Sequence, residues 1–442
     1  MTPSTPGFLF ESPKTRFRDN PKKKMKKKTD CELVLEFCVE LSRLMIVSGA
    51  NLERVQLAIE YIFNAYGYPD FSLYLLNNYI SLSVTDSEGA YCSRQSVIAP
   101  TVIHLERLKR LNDLSFQAAR EKPSPKRLRT MLNEALKVKE RPDWQILLGR
   151  VLAFSSLGMV VGGDEREILS IAIVVFAMHF IMKAAAKPGL NRLLTNALIM
   201  WLTTVAAIFV MYAGLCDDAP IILISVAKVV IPGIPLVNAV RNLLCGNEMN
   251  GIRQAAKAFI ETMALAMGIY LAFWMFGLQE GMKHAVVVAG VNPLWVIPPS
   301  FLASVGFGIF YRIPNRDLWI AGLGGALTRI LLILLIPITP SRLVYITIAA
   351  LAAGLFAEAL ATLRRYPSNY FMYPAIVPLI PSDLFYYTLV GIYTHDAAMI
   401  SANAMDCLMT LLGMSIGFVL SSILAHYIRK TRLANLKKEM RQ

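Results

Sequence analysis

Beyond residue 145 the chain is a series of apolar runs separated by short polar loops. The runs fall near 146–163, 168–186, 194–214, 219–240, 256–277, 294–312, 318–337, 343–362, 370–391 and 404–427. A helix needs roughly 20 apolar residues to cross the hydrocarbon of a bilayer, so the pattern predicts ten membrane spans. The earlier part reads differently. Helical periodicity from Cys31 to Val47 stops at Ser48-Gly49-Ala50, and Asn51 is placed to cap a second helix that ends at Tyr66. Segments near Phe71–Leu75, Tyr79–Val84 and Tyr91–Ile98 predict three strands. Two further helical patterns, Val102–Ala119 and Pro125–Lys137, precede a linker at Glu140-Arg141-Pro142-Asp143. The fold class is therefore mainly α. A small cytosolic α+β domain over 30–143 is followed by membrane halves over 144–280 and 281–428. Basic tails at 1–29, read as disordered, and at 429–442 flank them.

Two of the spans are interrupted by proline. Ile231-Pro232-Gly233-Ile234-Pro235 sits in the fourth, and Pro378-Leu379-Ile380-Pro381-Ser382-Asp383 in the ninth. Proline removes a backbone donor and clashes with the preceding turn, so each span is expected to be a broken helix. Backbone groups freed at membrane depth are tolerated only where protein buries them or they line a wet cavity. A half-helix start also presents unpaired N–H groups and a partial positive charge, which suits a carboxylate. Taken singly, either kink could merely shape packing. Broken helices at matching places in two halves instead point to a transporter's binding site.

Composition and charge sharpen this picture. Of the 442 residues 55% are hydrophobic and 17% charged, against about 25% charged in soluble proteins. The net charge of +14 carries no nucleic-acid signal, because much of it lies in Lys22–Lys28 and in loops beside the apolar runs. With the N-terminal domain in the cytoplasm, Lys183, Lys187, Arg192, Arg241, Arg253, Lys257, Arg312, Arg316, Arg364 and Arg365 fall inside. Asp164, Glu165, Arg166, Glu167, Asp217, Asp218, Glu280, Lys283, Arg342, His395 and Asp396 fall outside, and every inside loop holds more Lys and Arg than any outside loop. This satisfies the positive-inside rule and predicts a multi-pass inner (plasma) membrane protein with both termini cytoplasmic. Phe8-Leu9-Phe10 is too short to be the apolar core of a signal peptide. The six cysteines form no CxxC and no metal spacing, so reduced structural thiols and no cofactor are expected.

The halves are related. Leu152-Ala153 recurs at Leu302-Ala303, Gly158 at Gly308, Arg166 at Arg316 and Ile231-Pro232 at Ile380-Pro381, always 149 or 150 positions on. Five spans per copy is an odd number, so the second copy must enter the membrane from the opposite side. Inverted repeats of this kind support alternating access.

Charges inside spans are functional candidates by default. Lys228 lies one turn before Pro232, where it could pair with a substrate carboxylate or with Asp383, or snorkel to a headgroup. Asp383 follows the second break as a candidate proton carrier. Glu261 and Glu358 are further proton-coupling candidates, although each has basic neighbours that could hold it structurally. Arg329 and Arg241 are candidate charge partners. His179 reads first as a hydrogen-bonded packing residue. Candidate substrate-binding positions are Lys228, Pro232, Gly233, Pro235, Asn238, Pro378, Pro381, Ser382 and Tyr386.

Certain motifs are recognisable. Pro232-Gly233-Ile234-Pro235-Leu236-Val237-Asn238-Ala239-Val240-Arg241 runs into Gly246 and Gly251-Ile252-Arg253. Gly306-Phe307-Gly308, Arg312-Ile313-Pro314, Gly324-Gly325-Ala326-Leu327 and Pro378-Leu379-Ile380-Pro381 follow, and Ser48-Gly49-Ala50 with Glu53-Arg54-Val55 lies upstream. Over about 31–428 the chain resembles the threonine/serine exporter family. It is also similar to the bacterial two-subunit succinate exporter, whose two proteins look like its two halves. The resemblance implies a ten-span exporter of small amino acids or dicarboxylates with a cytosolic N-terminal domain. Asn242 and Asn247 stand where the family often has Asp, and Ser382-Asp383 follows Pro381 where it often has Gly-Ser.

The expected function is secondary export of a small carboxylate-bearing metabolite, coupled to a proton or another ion. No G-x-x-x-x-G-K-[ST] motif is present to bind ATP. No His-Glu-x-x-His or GxSxG motif supports an enzyme, and the five histidines are scattered. The competing reading is a ligand-gated channel or sensor whose N-terminal domain binds the ligand. Expected partners are the substrate, the coupling ion and the lipid bilayer, with homo-oligomerisation left open and nucleic acid excluded.

Overall fold

The computed structural model describes residues 29–85, 89–99, 101–138, 140–185, 191–216, 219–230, 233–278 and 293–439, while the side chains at 192, 227–230 and 429–439 lie outside that description. The basic run before Thr29, the Ile231-Pro232 pair, the Lys228 side chain and the loop residues at 217–218 and 279–292 therefore fall outside the described residues. What is described is mainly helical, with one small sheet.

The N-terminal unit is built on α1 (Asp30–Val47). Thr29 and Glu32 close a capping box at its start. Thr29 Oγ1 accepts from the Glu32 N–H at 3.2 Å, and Glu32 Oε2 accepts from the Thr29 N–H at 3.1 Å. Val34, Cys38, Leu41 and Met45, three or four residues apart, are fully buried. They form the stripe that α1 packs against its neighbours. Those neighbours are α2 (Leu52–Tyr66), α3 (Leu105–Glu121), α4 (Pro125–Ala135) and the sheet of β1 (Phe71–Leu76), β2 (Tyr79–Thr85) and β3 (Tyr91–Val97). The sheet is an antiparallel meander with β2 central, pairing Leu73 with Leu82 and Leu82 with Arg94. Ile80, Leu82 and Val84 alternate inward. Asn51 caps α2 as its position suggested, accepting from the Arg54 N–H at 3.3 Å.

The apolar part begins with α5 (Asp143–Val160), α6 (Glu165–Ala185), α7 (Arg192–Tyr212), α8 (Ala219–Val230), α9 (Gly233–Leu244) and α10 (Glu248–Met275). It continues with α11 (Ile297–Phe310), α12 (Leu318–Leu335), α13 (Arg342–Arg364), α14 (Asn369–Ala375), α15 (Ser382–Thr394) and α16 (Ala397–Glu439). Among the described residues seven helices are long and apolar enough to cross a membrane, or eight if the stretch from α14 to α15, bent by 43°, is one span. The sequence reading of ten also counts α5 and the α8–α9 pair. Asp143 and Gln145 make the first turn of α5 polar, and α8 and α9 have 12 residues each. α16 also runs on as one helix to Glu439, past the expected end of the membrane part at 428.

Leu169, Ile173, Phe176 and Phe180 are exposed along one face of α6. An apolar stripe this long is stable against lipid rather than water. Close helix contacts rest on small residues. A Cβ on Gly268 of α10 would meet the Ala197 carbonyl oxygen and the Trp201 nitrogen of α7 at 2.3 and 2.9 Å. A Cβ on Gly417 of α16 would meet the Thr347 oxygen and the Leu351 nitrogen of α13, both at 2.7 Å. α5 leaves the N-terminal unit at Asp143, whereas α11 ends against it, with the Leu105 N–H donating to the Tyr311 carbonyl at 3.0 Å. The two helices pack side by side, with Phe154 edge-on to Phe307 at 6.1 Å.

Candidate functional site

The second break is fully described. Pro374 lies inside α14, and Pro378 lies in the 3-10 turn Val377–Leu379. Ile380 is extended (φ −64°, ψ 118°), and Pro381 is the residue from which α15 departs. The prolines account for the interruption, since each withholds a donor. Ser382 and Tyr386 follow four residues apart, on one face of α15. Both are buried, and neither the Ser382 hydroxyl nor the Tyr386 hydroxyl has a hydrogen-bond partner among the described residues. Leaving such a group unpaired costs about 1–3 kcal/mol. Two of them beside a helix start therefore mark a place that a polar ligand or water would complete.

The other break lies against this one. α9 starts at Gly233, and a Cβ there would sit 2.8 Å from Ile380 Cγ2. The starts of two half-helices from different halves of the chain thus share one spot. Pro235 and Asn238 continue α9, and the Asn238 side chain lies beside Tyr373 of α14. Ser415 Oγ of α16, 2.7 Å from the Leu411 carbonyl, also lies 3.1 Å from the Val237 carbonyl and closes the cluster from another side. Pro232 lies outside the described residues, as does the Lys228 side chain.

Among the expected charges, Arg329 and Asp383 come within electrostatic reach of each other. Arg329 Nε also donates to Ser300 Oγ at 3.0 Å. Asp383 is exposed, and Tyr345 and Cys407 lie near it, close to the Arg342–Asp406 ion pair at 3.1 Å. Glu261 is buried on α10 and Glu358 half-buried on α13, each engaged with neighbouring groups.

The threonine/serine exporter family model matches residues 36–276, and a second threonine/serine exporter model matches 297–424. The chain belongs to the threonine/serine exporter family. No curated protein and no solved structure matches it. Its family and its apolar helices together make it a multi-pass membrane protein of the exporter kind.

In this exporter-family chain the N-terminal unit is fastened to the broken helices. Gly49 has φ 102°, a backbone setting that favours glycine. Its carbonyl accepts from Tyr373 Oη at 3.1 Å and from Asn369 Nδ2 at 3.2 Å. Glu53 accepts from Arg241 Nη2 at 3.1 Å, and the same nitrogen reaches Ser422 Oγ at 3.3 Å. The Ser48-Gly49-Ala50 and Glu53-Arg54-Val55 motifs are thereby tied to both breaks. A second fastening surrounds Glu140, which bridges Arg107 at 3.1 Å and Arg312 at 3.4 Å and lies 3.6 Å from His104 Nε2. His104 Nδ1 accepts from the Arg107 N–H at 3.2 Å, so Nε2 carries the hydrogen. Contact with His104, helped by the two arginines, pulls the Glu140 carboxyl down to about 2. Burial pushes His104 below its ordinary value, so it is neutral.

Sequence reasoning passed over Asn369, Tyr373 and Arg150. Arg150 had a usable signal, a lone cation inside the first predicted span. Asn369 and Tyr373 had none, since an Asn just before an apolar run looks like a loop residue and a Tyr within it like ordinary packing.

Proposed function

We propose that this protein is a secondary exporter of a small carboxylate-bearing metabolite, either an amino acid of the threonine/serine type or a dicarboxylate such as succinate. It works by alternating access of two inverted five-helix repeats. The observation that carries this reading is the meeting of Gly233 with Ile380, which brings the two proline breaks to one place. The helix starts there supply N–H groups for a carboxylate. Ser382 and Tyr386 supply unpaired hydroxyls on the same side. Asn238, Pro235 and Pro378 shape the surroundings, and the sequence motif adds Lys228 and Pro232 as candidates beside them.

The repeat is supported by contacts as well as by spacing. Gly268 meets Ala197 and Trp201, and Gly417 meets Thr347 and Leu351. Each residue of the second set lies 149 or 150 positions after its counterpart. α5 and α11, the first helices of the two copies, have opposite ends at the N-terminal unit, as inversion requires. In this reading α5 and the α8–α9 pair are the spans that bring the count to ten. The N-terminal unit is cytoplasmic, since the chain segments it binds at Arg241, Arg312 and Asn369 border the Arg- and Lys-rich loops. Export is coupled to inward proton flow through Asp383, with Glu261 and Glu358 as further carriers and Arg329 and Arg241 as charge partners.

Solute counterflow in proteoliposomes tests this function. The expected result is exchange of labelled for unlabelled L-threonine, L-serine or succinate without net flux. A conductive leak with no exchange would replace the carrier with a channel.

A further inference from the structure

The same spacing relates a pair of contacts that the sequence reading did not use. Arg150 Nη1 of α5 lies 3.0 Å from His179 Nδ1 of α6. Arg329 Nε of α12 lies 3.0 Å from Ser300 Oγ of α11. Ser300 stands 150 positions after Arg150, and Arg329 stands 150 after His179. Each half thus places one guanidinium at the same junction of its first two helices, donated from opposite partners. Neither arginine has a carboxylate within ion-pair distance among the described residues. Arg150 is only 5% exposed, and its Nε has no hydrogen-bond partner there. Asp143 and Asp383 act on Arg150 and Arg329 only from beyond that distance, and a charge within a span is a functional candidate by default.

The two cations lie at different depths. Arg150 stacks on the ring of Phe310, the last residue of α11, at 5.1 Å. That end of α11 adjoins the N-terminal unit. Ser300, and Arg329 with it, lies ten residues back along α11, about 15 Å nearer the opposite face. We propose that Arg150 and Arg329 are the inner and outer carboxylate stations of the transport path, one serving each side of the alternating cycle. This rests on the inverted-repeat reading above. Each guanidinium offers a planar fork of donors to the substrate carboxylate as it enters from its own face.

His179 positions Arg150. A guanidinium only donates, so Nδ1 of His179 must be unprotonated and Nε2 carries the hydrogen, 3.3 Å from Asp143 Oδ1. A proton arriving at Nδ1 breaks the Arg150 contact and frees the guanidinium for a carboxylate. The charged groups around this imidazole are Arg150 and Asp143 on α5 and Lys183 on α6, and Arg312 beyond α11 acts on Arg150.

Inside-out and right-side-out vesicles, loaded separately with labelled L-serine or succinate, test the proposal. Arg150→Gln should raise KM at the cytoplasmic face about tenfold, the effect of losing roughly 1.4 kcal/mol of binding, and leave the outer-face KM within about twofold. Arg329→Gln should do the reverse. Arg150→Lys, which keeps the charge, should recover part of the loss. It also serves as the test variant if Arg150→Gln does not insert. His179→Gln keeps an acceptor for Arg150 but cannot titrate, so it should remove the pH dependence of the cytoplasmic KM. Equal shifts at both faces, or a folded Arg150 variant with an unchanged cytoplasmic KM, overturn the proposal. Failure of the unsubstituted protein to exchange either solute would instead remove the transport reading itself.

Discussion

Gly233, at the start of α9, faces Ile380, the residue two before α15, so closely that a Cβ on the glycine would stand 2.8 Å from Ile380 Cγ2. That distance leaves no room for a methyl group unless Ile380 moves. Gly233→Ala should therefore displace the second break. Overpacking of this kind costs about 1–3 kcal/mol, and exchange activity should fall at least severalfold while the protein still inserts. Ile380→Ala, combined with it, should restore much of the activity by reopening the space. Counterflow on the single and double variants gives the answer, and a fully active Gly233→Ala would separate the contact from transport.

Tyr373 is the joint between the two breaks and the N-terminal unit, through Asn238 and the Gly49 carbonyl. Tyr373→Phe removes its hydrogen bonds to the Gly49 carbonyl and from Asn369 Nδ2 and keeps the ring. Each is worth about 1 kcal/mol net, so the N-terminal unit should loosen without unfolding. Limited proteolysis near Arg141 should become faster, and exchange should slow. Glu53→Gln weakens the neighbouring tie to Arg241, and its effect should exceed simple addition when combined with Tyr373→Phe. Unchanged cleavage in the double variant would mean that the unit is held elsewhere.

Glu140 makes the second fastening sensitive to acid. Its carboxyl is held at about 2 against an ordinary 4.5. A depressed carboxyl contributes stability that is fully present above the ordinary value and is lost as pH falls through the folded one. The Glu140 contribution should therefore be unchanged from neutral pH down to about 4.5 and be lost between there and about 2. The depressed His104 makes docking weaken already as pH falls through that residue's ordinary 6.5. Hydrogen exchange at 101–121, followed across that range in detergent, should show the loss. Glu140→Gln should remove this acid-dependent step and leave a permanently weaker contact at neutral pH.

Much of the architecture was legible because it depends on local patterns. Asn51, the Ser48-Gly49-Ala50 stop and the alternation around Ile80 and Leu82 act within a few residues, and each element falls where they put it. The proline motif likewise located the interruption before Ser382. The span count was less legible. α5 carries Asp143 and Arg150, and α8 and α9 are short, so hydropathy alone does not separate a polar-lined membrane helix from a buried one. Least legible were contacts between distant segments. Tyr373 meets Gly49 across 324 positions, and nothing near either residue announces the other. The matched pairs Arg150–His179 and Ser300–Arg329 were hidden for a different reason. Their spacing was available, but the residue types differ at both positions, so an identity search passes over them.

Asp383 is where the ion-coupling part of the proposal is most exposed to test. It lies within reach of Arg329, whose firm contact is the neutral Ser300 hydroxyl. If Asp383 carries the proton, its ionised form compensates Arg329 in one half of the cycle, and its neutral form releases Arg329 to a substrate carboxylate in the other. Asp383→Asn mimics the neutral form permanently. Counterflow, which needs no net proton movement, should persist at a reduced rate. Concentrative transport driven by a pH gradient should be lost, and the dependence of exchange on pH should flatten. Retention of gradient-driven accumulation in Asp383→Asn would move proton carriage to Glu261 or Glu358, and the same assay on their Gln variants would decide between them.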